Sequence, residues 1–137
     1  KDYFLKLLNL NNIYLYAAKY GSDIIAMSFF IFSNYGYYHL SANSILSYKL
    51  NANYLLLHKA FQEAQKRDIK YFILGGGTNS NPENTLLRFK SKFSNEIRPF
   101  FIGGIIFNKI KYDELNNIWF EYYKKDIKFF LKYRLEA

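Results

Sequence analysis

From Ile24 to Ser33 the chain reads IIAMSFFIFS, a nearly continuous apolar run rich in β-branched and aromatic residues. Such a run predicts a central strand covered on both faces, because a strand with one wet face alternates apolar and polar residues instead. A strand of that kind needs partners at its edges, and the flanks supply them. Asn12 to Tyr20 (NIYLYAAKY) alternates apolar and aromatic residues as a strand does, and Gly21-Ser22-Asp23 carries turn chemistry. After a second turn at Asn34-Tyr35-Gly36, the segment Tyr37 to Ala42 (YYHLSA) predicts a third strand. Three strands joined by short turns form an antiparallel meander. The apolar part of the run is far shorter than the roughly 20 residues a membrane-spanning helix needs, so no transmembrane segment is predicted.

The meander is preceded by helical spacing from Asp2 to Leu10, where Phe4, Leu5, Leu8 and Tyr3, Leu7 fall on neighbouring faces. The chain begins with Lys1 inside that pattern, and the expectation is that N-terminal sequence of the full protein is missing. Beyond the meander, Ser41 to Asn53 is polar and turn-like. From Tyr54 onward Leu57, Ala60, Phe61 and Ala64 follow the spacing of an amphipathic helix ending in Lys66-Arg67, where basic residues suit the helix dipole. Tyr71 to Leu74 (YFIL) predicts a short buried strand that runs into Gly75-Gly76-Gly77, and a strand-helix-strand crossover makes its two strands parallel. A polar loop from Thr78 to Glu83 leads to Asn84, the N-cap of a helix TLLRFKSKF. Arg98 to Asn108 predicts another strand, with Gly103-Gly104 as a bulge or close approach. Leu115, Ile118, Trp119 and Tyr122 define a third helix, and Ile127, Phe129, Leu131 and Tyr133 alternate as a terminal strand. The fold class read from this order is α/β (α+β): a mixed sheet in which an antiparallel meander is followed by a β-α-β crossover, with helices on both faces. Residues 1–137 form one domain on this reading.

With 50% hydrophobic and 22% charged residues, the chain buries enough apolar surface to fold. The absence of cysteine excludes disulfides, thiolate zinc sites and cysteine nucleophiles. A net charge of +8 favours phosphate-bearing partners such as tRNA, nucleotide-linked substrates or anionic lipid. The lysines are scattered, however, and the densest stretches, Arg88 to Lys92 and Lys124 to Lys132, form no compact block.

Parallel strands that diverge at their C-terminal ends leave a crevice lined by unpaired backbone groups. The candidate crevice lies between Leu40-Ser41-Ala42 and Leu74-Gly75-Gly76-Gly77. The triplet is not a phosphate loop, since no Gly-Lys-Ser/Thr follows and no GxGxxG is present. Two readings stand for it: a sharp turn that ends a strand, or backbone kept bare for a ligand. His39, two residues before the crevice, is either a packed strand histidine or a proton acceptor for an attacking amine. His58 lies on the amphipathic helix and reads as structural; no His-Glu cluster fits a metal. Phe89 and Phe93 are spaced to face the core, which leaves Arg88 and Lys90 at the rim, as solvated surface or as cations for an oxyanion or phosphate. Glu63, Asp68, Asp113 and Glu114 fall on surfaces or turns and make no acid-base pair.

The ordered combination of YYHLSA, Asn51 to Gly77 (NANYLLLHKAFQEAQKRDIKYFILGGG), NTLLRFKSKF from Asn84 to Phe93, and IIFNKIKYDEL from Ile105 to Leu115 resembles the C-terminal region of Fem-like aminoacyltransferases and related GNAT-superfamily acyltransferases. The resemblance covers nearly the whole chain. It implies a GNAT-like fold that moves an acyl or aminoacyl group onto an amine, with a cell-wall precursor among the acceptors. Acyl-CoA or aminoacyl-tRNA serves as donor substrate, and no tightly bound cofactor is implied. The Arg/Gln-x-x-Gly-x-Gly/Ala pyrophosphate loop of CoA-dependent relatives is absent between Ala42 and Asn53. The candidate catalytic residues are Lys90 and His39. The candidate donor- and substrate-binding set is Leu40, Ser41, Ala42, Gly75, Gly76, Gly77, Asn79, Arg88 and Phe93. Contact with tRNA and a cytoplasmic location are expected. The reading from a different class is a noncatalytic module of the same fold that binds RNA or an anionic envelope polymer.

Overall fold

The computed structural model describes residues 2–79, 81, 83–101 and 103–135. Along the chain the elements are α1 (Asp2–Leu8), β1 (Ile13–Tyr20), β2 (Asp23–Phe32), β3 (Gly36–Asn43), α2 (Ile45–Lys49), α3 (Ala52–Lys66), β4 (Phe72–Ile73), α4 (Thr85–Lys90), α5 (Lys109–Tyr123) and a 3-10 turn at Lys132–Arg134. They gather into two compact units, Lys1–Glu96 and Ile97–Ala137.

In the first unit the sheet order is β1-β2-β3-β4. The β1/β2 and β2/β3 pairs are antiparallel, and β3/β4 is parallel. The mixed sheet expected from the sequence is therefore present. β2 is covered on both sides for the reason its composition gives. Phe29 stacks on Phe4 of α1 at 6.1 Å between ring centroids. Phe30, on the opposite face, shares a buried cluster with Leu56, Leu57 and Ala60 of α3. Phe30 and Leu57 are both fully buried, and each contributes about 1.5–3 kcal/mol by leaving water. The alanines at positions 52, 60 and 64 on the buried face of α3 bring its backbone close to the sheet.

α3 ends in a Schellman motif with Asp68 in the left-handed region at φ 54°. The Ile69 amide donates to the Ala64 carbonyl at 2.9 Å and the Asp68 amide to the Gln65 carbonyl at 3.1 Å, which turns the chain back towards β4. β4 is only two residues long, pairing Phe72 with Gly36 and Ile73 with Tyr37. Gly36 is bare because the Phe72 ring covers it: an added Cβ would lie 2.3 Å from that ring.

Several sequence expectations need correction. The stretch from Ser41 to Asn53, read as turn-like, holds the end of β3 and all of α2, whose N-cap Ser44 accepts from the Ser47 amide at 3.2 Å. A five-residue helix is too short to leave a periodic signal, and its cap serine looks like a turn residue. The strand expected from Arg98 to Asn108 does not form among the described residues; Ile102 lies outside them. Phe100, Phe101 and Phe107 are at least 85% exposed. β propensity marks residues that suit a ladder but does not supply the neighbour a strand requires. The expected terminal strand is replaced by the 3-10 turn. There Tyr112 Oη donates to the Phe130 carbonyl at 2.7 Å and Trp119 Nε1 to the Leu135 carbonyl at 2.9 Å, so α5 side chains take acceptors that a ladder would have used. Ser80 and Pro82, in the loop expected from Thr78 to Glu83, lie outside the described residues.

Candidate functional site

The parallel pairing stops at Tyr37 and Ile73, while β3 stays paired with β2 as far as Asn43. From His39 to Asn43, then, one edge of β3 has no strand beside it among the described residues. β4 gives way to the glycine triplet, whose first member, Gly75, has φ 73° and so takes a conformation that side chains with a Cβ rarely adopt.

A bulge lies at the start of this open edge. Phe29 pairs with Leu40 and Phe30 with Tyr38, which leaves His39 as the extra residue of β3. A bulge bends its strand and frees backbone groups from the ladder. Past it, the Ser44 amide donates to the Ile25 carbonyl at 2.9 Å. Strand alternation then directs the Ala42 amide at β2 and the Ser41 and Asn43 amides at the open edge. The Ser41 side chain stands off the sheet on the α3 side, donating to Asn53 Oδ1 of α3 at 3.3 Å and accepting from Ser28 Oγ at 3.0 Å and Asn43 Nδ2 at 3.2 Å.

Lys90, at the C-terminal end of α4, reaches into this region. Its Nζ donates to the Gly76 carbonyl at 2.8 Å and lies 5.7 Å from the centroid of the Tyr38 ring. Burial lowers the Lys90 pKa below the ordinary lysine value, since the site destabilises the charged form. One rim cation is thus brought to the junction of the triplet with β3.

A family model for the FemAB family matches residues 9–117. The chain belongs to the FemAB family. Members of this family are transferases. The matched span contains β1 to β4, the triplet and Lys90. No curated protein and no solved structure gives a significant match. No helix among the described residues is long and apolar enough to cross a membrane.

The remaining candidates of this FemAB chain are spread over several parts of the fold. Leu40 and Ala42 are exposed on β3 beside Ser41. Gly77 is packed under Asn84, where an added Cβ would come within 2.6 Å of Oδ1. Asn84 caps α4 by accepting from the Leu86 and Leu87 amides, and its Nδ2 donates to Thr78 Oγ1 and Asn79 Oδ1. Asn79 therefore holds the loop, and the N-cap fixes the triplet. Arg88 is exposed and paired with Glu83 at 3.3 Å. Phe93 packs with Tyr54, Phe61 and Phe89. His39 faces α1, where the Tyr3 hydroxyl lies 3.0 Å from Nε2. Tyr38, which stacks on Phe30 on the α3 side, faces Lys90. The two catalytic candidates thus lie on opposite sides of the sheet.

Sequence reading missed Tyr38 and the Ser28-Ser41-Asn53 chain. Ser28 was the available signal, as a hydroxyl inside the apolar run that had to find a partner.

Proposed function

We propose that this chain forms the donor-binding crevice of a GNAT-type N-acyltransferase that moves an acyl or aminoacyl group from a thioester or aminoacyl-tRNA donor onto an amine of a cell-wall precursor. The reading rests on one observation: Lys90 lies between the glycine triplet and Tyr38, just before the bulge after which β3 has no strand neighbour on one edge among the described residues. A neutral amine attacks the donor carbonyl, the new C–N bond forms, and the C–O or C–S bond breaks as the leaving alcohol or thiol takes up the proton that the amine nitrogen loses. Negative charge gathers on the carbonyl oxygen in the transition state. Fixed N–H donors stabilise that charge without reorganising, which is the largest single contribution in acyl transfer. Strand alternation aims the Ser41 and Asn43 amides at the open edge, which supports this role for them. Lys90 adds positive charge on the same side, and the crevice positions the ester for attack. His39, on the other face, orients substrate or carries a proton only if the acceptor reaches past the strand.

Family membership supports transfer over mere binding. The test is incubation of purified full-length protein with labelled aminoacyl-tRNA or acyl-CoA and an amine acceptor. Transfer of label is expected; binding of the donor without any transfer would replace this reading with a binding module.

A further inference from the structure

The Ser41 hydroxyl is fully used: it gives its one proton to Asn53 Oδ1 and fills both lone pairs from Ser28 and Asn43. Ser28 is 1% exposed, and so is Ser47, which donates to Asn43 Oδ1 at 3.0 Å. These bonds join β2, β3, α2 and α3 at the stretch where β3 has lost its neighbour. Ser28 and Ser41 sit directly opposite each other. Alternation from the Ser44–Ile25 bond makes theirs a non-hydrogen-bonded pair, in which side chains come closest and backbone amides face outward. One residue therefore carries both the outward amide, whose direction follows from the β2–β3 register, and the hydroxyl tied to Asn53, Ser28 and Asn43. Ser28 and Ser47 are buried, so losing their partners would leave hydroxyls unsatisfied at that end of the chain of bonds, while Ser41 itself is exposed.

We propose that Asn53 is a positioning residue which, through the Ser41 hydroxyl, holds the Ser41 backbone amide aimed at the open edge of β3. The proposal rests on the transferase reading for its consequence in catalysis, though not for the anchoring itself. Two variants separate the possibilities: Asn53→Leu removes the acceptor at similar size, and Asn53→Asp keeps it.

In the full protein, backbone relaxation of Ser41 is expected to give an order parameter of about 0.85, falling towards about 0.6 in Asn53→Leu and staying high in Asn53→Asp. Transfer by Asn53→Leu should lose about tenfold in kcat with little change in donor KM, the size set by one lost charge-orienting hydrogen bond. An unchanged Ser41 order parameter in a folded Asn53→Leu protein overturns the proposal. So does loosening spread evenly over β2 and β3, which would make Asn53 a general packing residue. A wild-type protein that transfers nothing removes the transferase reading alone, and the Ser41 order parameters then decide the anchoring by themselves.

Discussion

Lys90 Nζ and the Gly76 carbonyl oxygen are 2.8 Å apart, a bond that ties the end of α4 to the glycine triplet following β4. It explains how a rim cation on a six-residue helix becomes partly buried, and why the triplet keeps one shape. The carbonyl satisfies the ammonium only in part, and the Tyr38 ring supplies the next favourable surface.

Lys90→Ala should reduce transfer strongly while leaving the fold intact. Loss of a cation near a developing oxyanion typically costs about 100-fold in turnover, whereas loss of one partly exposed hydrogen bond costs about 1 kcal/mol of stability. Steady-state kinetics beside a denaturation curve separates the two. Wild-type turnover in the folded variant would remove Lys90 from the mechanism.

The same residue predicts a pH dependence of stability. Burial places the folded-state pKa of Lys90 below the ordinary 10.5. Between that lowered value and the unfolded one, the unfolded chain binds more protons, so this group makes stability rise with pH there; the cost of burying the charge is fully present at lower pH. Lys90→Met keeps the stem and removes the titration. Denaturant unfolding from neutral to alkaline pH should show the difference between the proteins moving in favour of wild type as pH rises, and a difference that is constant or moves the other way contradicts this.

Three glycines should respond differently to alanine. Gly36→Ala forces a methyl to within 2.3 Å of the Phe72 ring, and overpacking of that kind costs about 1–3 kcal/mol. Gly77→Ala meets Asn84 Oδ1 at 2.6 Å, and displacing that N-cap costs about 1 kcal/mol. Gly76 has open space where a Cβ would go, so Gly76→Ala should change stability by less than about 0.5 kcal/mol. A loss of donor affinity in that stable variant would mark the backbone there as a ligand contact. Thermal melts and donor titrations give the ranking.

Arg67 lies over Tyr14 at 4.5 Å and Phe32 at 5.0 Å, and bonds Glu63 at 2.8 Å. With about a third of the side chain exposed, the contacts together contribute about 1 kcal/mol. Arg67→Lys should lose most of this, because an ammonium cannot stack flat on two rings while holding the carboxylate. Equal stability of Arg67→Lys and wild type would show that charge alone suffices.

Local composition was enough to announce the meander, the amphipathic helix and the parallel crossover. Continuous apolar residues in β2, 3.6-residue spacing in α3 and glycines at the turns each reflect the nearest neighbours of those residues. The parallel β3/β4 pair and the glycines that follow it were legible, because a strand-helix-strand crossover makes its two strands parallel. What the sequence could not carry depends on partners far along the chain. The bulge at His39 is a register relation between β2 and β3. Strand alternation from Tyr38 and the packing of α1 put His39 beside Tyr3, on the face away from Lys90. Ser28 and Asn53 are polar letters until folding brings them to one hydroxyl. The segments after Arg98 make the same point in reverse, for their residues suit strands yet form none among those described. Periodicity records which side of an element is apolar, but a strand, a bulge or a site exists only where a second segment arrives to complete its hydrogen bonds.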